Sequence, residues 1–331
     1  MLRSVMLVLC TPLALVAQDR DAWHTTYSII AFDSATGDVG VAVQSKAPWV
    51  SSAVAHAVAG VGGVATQSFT RYAYGPELLD LLARGASPAE ALAMRVRADD
   101  GRERRQVGVL DVHCRREAYT GGQTFVWAGS RGGHANGACY QAQGNLLDGA
   151  QVVDSMVTAF ERTPGPLVDR LMAALHAAEA AGGDARGRQS AAILVVRPGQ
   201  SPPDERPYLR LQVDDALLPL PELQRLVNVW KAYQAMGASN RWRRAEGGNL
   251  DSALAYARHA TTLAADLDVA WVQVAAVHLD HGREREARDA LRTALGLNAR
   301  LPRVINEYPV LTPFREQDRA VAVRILRELQ R

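Results

Sequence analysis

The residues whose types and spacing could do chemistry lie in positions 24–46, HTTYSIIAFDSATGDVGVAVQSK. Thr25 and Thr26 stand where an apolar run, 27–32, begins, and Lys46 stands just past a second run, 39–43. Between them Thr36, Gly37 and Asp38 supply a turn, so the stretch reads as a β-hairpin. In a hairpin those two places lie at the same end, where a hydroxyl and an ammonium can meet. That suits a threonine nucleophile whose own freed α-amine acts as base, with the lysine charge lowering the amine's proton affinity. The competing reading is two ordinary strand threonines and a solvated lysine.

Such a nucleophile needs an oxyanion donor. The backbone around 62–65 or the Asn145 side chain could supply one; Asn145 is equally read as a turn residue after Gly144. Gln67 and Ser68 either line a cleft or simply end a strand. Asp184, Arg186, Arg188 and Gln189 form the densest polar cluster. An arginine there could grip a substrate carboxylate through two parallel hydrogen bonds. The alternative is an internal Asp184–Arg188 ion pair that locks the loop; that structural role is favoured for Asp184, leaving one arginine for substrate. Ser190 has no histidine partner nearby in sequence, and no G-x-S-x-G, H-E-x-x-H or P-loop pattern occurs. His56 reads as a strand or core histidine.

The chain has 331 residues, 48% of them hydrophobic, enough for two domains and a sizeable core. A net charge of +2 is too small to imply a nucleic-acid partner. Residues 1–17 have the positive start, short apolar run and small final residue of a secretory signal, and the run is too short to anchor stably across a bilayer. The mature protein is therefore expected in the periplasm or outside the cell, with 18–25 as a leader segment and no membrane span. Of three cysteines, Cys10 falls in the signal; Cys114 and Cys139 either pair or remain separate buried thiols. No metal spacing and no cofactor motif appears.

Residues 53–66 read as buried strands joined at the glycines 60–63. Two helices follow, 76–84 and 89–97, the second opened by a capping box at Ser87–Glu90. Strands are expected at 106–112, 118–120, 125–127 and 139–143, with a Gly-rich loop at 129–137. Helical periodicity returns at 150–162 and 167–181, then strands at 191–196 and 209–213. A Pro-rich excursion at 198–207 separates the last two. This order argues α+β with antiparallel sheets. A linker is placed at 214–221 and an all-helical region at 222–331. There Trp271, Gly282, Ala287, Leu291 and Ala294 match a tetratricopeptide-like unit, and Gly248, Ala253, Ala257 and Ala260 repeat it 34 residues earlier. An unrelated alanine-rich helical hairpin is the competing reading. A final helix is expected at 311–329.

Six stretches spread in order over 26–213 resemble the bacterial family called domain of unknown function 1028: TYSIIAFDSATGDVGVAVQSK, GVGGVATQ, YGPELLDLL, RQVGVLD, QGNLL and GGDARGRQSAAILVV. Together they are specific. The family is placed with the N-terminal-nucleophile (Ntn) hydrolases, so the resemblance implies a four-layer αββα sandwich with Thr26 in the nucleophile place. Many members begin close to that threonine; here it lies behind a leader. Cutting after Ala17 leaves 18–25 in front, so an amine at Thr26 requires a second cleavage. On this reading Thr26, Lys46 and Asn145 are catalytic, and Gln67, Asp184, Arg186 and Arg188 face substrate.

Two functions are carried forward. One is an exported hydrolase of an amide or related acyl bond in a small molecule or peptide, with the helical repeats docking a protein partner. The other is a noncatalytic binding protein of the same fold, including a cell-wall-associated form, because some relatives end in a peptidoglycan-binding module. Homo-oligomerisation stays open.

Overall fold

The computed structural model describes residues 22–24, 26–124, 126–199, 207–307 and 312–331. The expected signal peptide, Thr25, Phe125, most of the Pro-rich excursion and Leu311 lie outside the described residues.

Two antiparallel sheets carry the first part of the chain. The larger contains β2 (Thr26–Asp33), β3 (Val39–Ser45), β8 (Trp127–Ala135), β9 (Ala138–Leu147), β10 (Ser190–Val196) and β11 (Leu209–Val213). Its order is β11-β10-β3-β2-β9-β8. The smaller joins β1 (Ala22–His24), β5 (Gly62–Thr70), β6 (Arg105–Asp111) and β7 (Arg116–Thr120) in that order, with β4 (Ala55–Val58) also pairing β5. The hairpin read from 24–46 is β2–β3, joined through a turn in which Gly37 adopts φ 75°.

Period-two alternation sorts the side chains. Tyr27, Ile29 and Ala31 of β2 pack with Ala42 and Ile193 beneath α4 (Ala150–Arg162) and α5 (Leu167–Ala180). Ile30 packs with Val41, Val43, Ala65 and Leu110, between the sheets. On the far side of the smaller sheet Val64, Val107 and Val109 pack with Tyr74, Leu78 and Leu92 of α2 (Tyr74–Ala83) and α3 (Pro88–Arg97). The sheets approach closely at Gly63, where a Cβ would stand 2.6 Å from Ile30 Cγ2. A short helix, α1 (Val50–Val54), leads into β4.

The capping box at α3 forms as read: Ser87 Oγ accepts from the Glu90 N–H, and Glu90 Oε2 accepts from the Ser87 N–H at 2.8 Å. The Gly-rich loop expected at 129–137 is instead mostly strand β8. Its glycines meet a packing demand there, since a Cβ on Gly133 would run into the Tyr140 ring of β9. Cys114 and Cys139 are disulfide-bonded, with Cα atoms 5.6 Å apart. The bond ties the turn after β6 to β9, and so one sheet to the other.

The expected linker is shorter than 214–221, because α6 already begins at Pro219 and runs to Arg244. Proline suits a first helical turn, which has no partner for its N–H. Leu220, Leu223 and Val227 of α6 belong to the core beneath α5, whereas Ala232, Ala235 and Met236 pack against the helices that follow. One helix of about 39 Å therefore belongs to both parts. The C-terminal region continues with α7 (Leu250–Leu263), α8 (Asp268–Asp280), α9 (Glu284–Leu297), α10 (Leu301–Glu307) and α11 (Glu316–Leu329). Ala253, Ala257 and Ala260 of α7 and Ala287, Leu291 and Ala294 of α9 are all fully buried. The last helix starts after Pro313 rather than around it, with Arg315 at its N-cap. No described helix is long and apolar enough to cross a membrane.

Asp280 closes this region. Its buried carboxylate takes Arg243 Nε at 2.5 Å and Arg315 Nε at 3.2 Å, joining α6, α8 and the segment before α11. Burial, and then the charge of Asp280, push the neighbouring Asp318 carboxyl above the usual range. Asp280→Ala would leave Arg243 buried without its carboxylate and is expected to cost about 3–5 kcal/mol, read as a lower urea midpoint in far-UV circular dichroism. Cys139→Ser removes a cross-link closing a 25-residue separation; a loss of about 3 kcal/mol is expected under oxidising conditions and none in reductant.

Candidate functional site

Thr26 opens β2 opposite Ser45, the last residue of β3. It is fully buried, and its Oγ1 donates to Ser45 Oγ at 3.2 Å. Ser28, two residues on, shares its face and donates to Gln67 Oε1 at 2.7 Å. Gln67 reaches across from β5: its Nε2 donates to the Thr26 carbonyl at 3.0 Å and to Gln106 Oε1 at 2.8 Å. Asn145 Nδ2 donates to the same Gln106 oxygen at 3.0 Å, and Gln106 Nε2 donates to the Gly144 carbonyl at 2.8 Å. Three of the proposed residues, Thr26, Gln67 and Asn145, thus meet in one network whose centre is Gln106.

This layer between the sheets is made of hydroxyls and carboxamides. Gln143 extends it, donating to the Ala65 carbonyl at 2.9 Å. Two buried acceptors in the layer, Asn145 Oδ1 and Gln143 Oε1, and the nearby Ser68 Oγ have no hydrogen-bond partner among the described residues. Each such group costs about 1–3 kcal/mol of desolvation. Backbone strain sits beside them. Ser68 and Leu146, directly after Gln67 and Asn145, hold φ at 73° and 51°, left-handed values that cost a non-glycine residue roughly 1–2 kcal/mol.

The rim is charged. Lys46 follows Ser45 but is exposed; its backbone N–H donates to Asp184 Oδ2 at 3.1 Å. Its ammonium makes no hydrogen bond or ion pair with any described residue, so it does not touch Thr26 Oγ1 here. Asp184 is buried and pairs with Arg186, whose Nη2 lies 2.9 Å from Oδ2, rather than with Arg188. The reason is local: Asp184 Oδ1 also accepts the backbone N–H of Arg186 at 3.0 Å, a tight turn that brings the i+2 guanidinium back onto the carboxylate. Burial pushes the Asp184 carboxyl above the usual range, against the opposing pull of the Arg186 N–H and charge and of the Lys46 N–H. Arg188 instead bonds Glu179 at 3.0 Å, and Glu179 accepts from the Tyr27 hydroxyl at 2.9 Å. Burial and the Glu179 charge push Tyr27 well above the ordinary tyrosine value. Both arginines are thus engaged with protein carboxylates.

The chain ahead of Thr26 does not continue β2. Residues 22–24 pair with β5 in the other sheet, Ala22 opposite Thr70 and His24 opposite Ser68. His24 and Thr26 therefore belong to different sheets, and in this form the Thr26 nitrogen is a peptide nitrogen with no basic lone pair. The neighbours that bond Thr26 are a hydroxyl and a carboxamide, which cannot serve as general bases near neutral pH. Asn145 Nδ2 spends one of its two N–H groups on Gln106, and the second makes no hydrogen bond to any described residue.

Ser28, Ser45, Gln106 and Gln143 were not legible as site residues. Ser28 carried a usable signal, since i and i+2 share a strand face. Gln106 carried none beyond its place in a resembling stretch. His56, in β4, lies 3.4 Å from the Ala53 carbonyl and edge-on to Tyr72, away from this network; burial lowers its proton affinity.

The crystal structure of protein SPO2555 from Silicibacter pomeroyi, assigned to the DUF1028 family model, matches with a TM-score of 0.55 and 30% sequence identity, covering 61% of this chain and 88% of that one. No curated protein matches. The model described as "Family of unknown function (DUF1028)" matches residues 26–223, from Thr26 through the first turn of α6. The chain belongs to the DUF1028 family.

Proposed function

We propose that the protein is an exported hydrolase of the N-terminal-nucleophile type, acting on an amide or related acyl bond after processing exposes Thr26. One observation carries this reading: Thr26 starts a new strand, in the sheet opposite that of 22–24, with its hydroxyl in a buried polar layer. The packing of α4–α5 on one sheet and α2–α3 on the other supports the αββα sandwich of that fold group. Buried, equivalently spaced alanines in α7 and α9 support tetratricopeptide-like repeats as a docking module. The disulfide supports an oxidising compartment.

Cleavage before Thr26 supplies the missing base. The Thr26 hydroxyl could bring it about by attacking the carbonyl of residue 25, so that an ester forms as the peptide C–N bond breaks; water then hydrolyses that ester and leaves a free amine. In turnover the amine takes the Oγ1 proton as the oxygen adds to the substrate carbonyl. It then returns that proton to the leaving nitrogen, and water releases the acyl group. Lys46, one residue past the partner of Thr26, would depress the amine's proton affinity by its charge, once its side chain swings inward. The second N–H of Asn145 Nδ2 would serve as oxyanion donor, whereas both N–H groups of Gln67 are already taken by the Thr26 carbonyl and Gln106. Arg186 or Arg188 would leave its protein carboxylate to take one on the substrate. The second reading, a noncatalytic binding protein, draws on the exposed Lys46 ammonium and on the engagement of both Gln67 N–H groups within the network.

The test compares three forms against a panel of amides: the chain from residue 22, the chain from Thr26 after removal of a start methionine, and the latter with Thr26→Ala. Activity is expected in the second from the outset and in the first only in proportion to the chain that has cleaved itself before Thr26, with Thr26→Ala lowering kcat at least about 10³-fold. The rate should rise with pH as the amine loses its proton, with a midpoint below the free-terminus value of about 8. Equal hydrolysis by all three forms would remove Thr26 from the chemistry, and hydrolysis by none would favour the binding protein. In the active form Gln106→Ala is expected to lower kcat and stability together, since it strips partners from both Gln67 and Asn145. Gln106→Glu should keep the shape but introduce a buried charge and lose still more stability, read by thermal unfolding.

A further inference from the structure

At the other end of the larger sheet, about 20 Å from Thr26 by strand length, a crevice of about 280 Å³ opens where α5, α6 and α7 meet. Three aromatic side chains line it: Tyr208 beside β11, Trp230 on α6 and Tyr256 on α7. Tyr208 and Trp230 are fixed edge to face, with centroids 5.2 Å apart. The Arg197 guanidinium lies over the Tyr208 ring at 3.7 Å from its centroid. Leu263 of α7 and the first turn of α5 complete an apolar wall.

The charges here are internally balanced. Arg197 is held by Asp38 through two hydrogen bonds of 2.6 Å, and Lys231 by Asp169 through two of 2.8 and 2.9 Å. An anionic or cationic ligand would have to compete with its like-charged neighbour in one of these pairs. A neutral ring system needs no such exchange; it gains apolar contact and ring stacking. Gln234 and His259 line the same crevice with no side-chain hydrogen bond to any described residue, so each is available to one polar atom of a ligand. The volume falls just below that of ordinary ligand sites, about 300–1,000 Å³, which restricts the occupant to a small molecule.

We infer that this crevice is a binding site for a small, uncharged aromatic molecule of two or three rings carrying a hydrogen-bonding group. The site joins the sheet-bearing part to the helical array, so occupancy stabilises the junction. It stands independently of the chemistry proposed at Thr26.

N-phenylnaphthylamine is a neutral probe of suitable size whose fluorescence rises on leaving water. Titrated into the full chain, it is expected to bind saturably, one per chain, and to raise the unfolding temperature. Its sulfonated analogue should bind about tenfold more weakly. Ala238→Trp, which fills the crevice from α6, should weaken the neutral probe at least tenfold; Leu263→Trp makes the same test from α7 if the first variant loses helical circular dichroism. Absence of saturable binding, equal binding to a folded crevice-filled variant, or preference for the sulfonated probe would each overturn the inference.

Discussion

Burying a row of hydroxyls and carboxamides between two sheets is tolerable only if nearly every one of them finds a partner. That constraint governs the first part of this chain. Gln106 satisfies Gln67 and Asn145 at once, Gln67 satisfies Ser28 and the Thr26 carbonyl, and the β2–β3 register follows from the same bonds. A slip of one residue would turn Thr26 and Ser28 toward the helices and place Tyr27 and Ile29 in the polar layer. The apolar alternation and the carboxamide network therefore specify the same register. The unpartnered Asn145 and Gln143 oxygens show where the network stops being self-sufficient.

The two ends of the sheet pair are built differently. Cys114–Cys139 ties the sheets together near Phe32, at the far end of β2 from Thr26. At the Thr26 end the sheets are joined by neutral hydrogen bonds. Those bonds exchange with water or substrate far more readily than a covalent link breaks. A rigid end opposite an adaptable one is the arrangement the proposed processing at Thr26 would require. Continuity of α6 through both parts gives the helical array a fixed attachment rather than a tether.

Much of this was legible in the sequence because it rests on local signals. The β2–β3 hairpin declared itself through alternation around a Gly-Asp turn, α3 through Ser87 and Glu90, and the α7–α9 hairpins through spaced alanines. What failed depended on distant partners. Gly132 and Gly133 read as loop residues until Arg116, Gln141 and Tyr140 fill the space that side chains would need. Asp184 chose Arg186 over Arg188 because a backbone turn had already aimed the nearer guanidinium. Gln106 looks like any glutamine in a strand, and only the opposing sheet gives it meaning. The boundary after 213 was blurred because prolines at 219 and 221, which suggest a linker, also fit the first turn of a helix.

The account stands or falls on a free amine at Thr26. The most direct measurement is the intact mass and N-terminal sequence of the chain recovered from cells that make it from its own start, beside a Thr26→Ala counterpart. The account predicts a protein beginning at Thr26 and a Thr26→Ala chain that keeps the residues ahead of that position. A recovered chain that retains 22–25 and still hydrolyses an amide would contradict it.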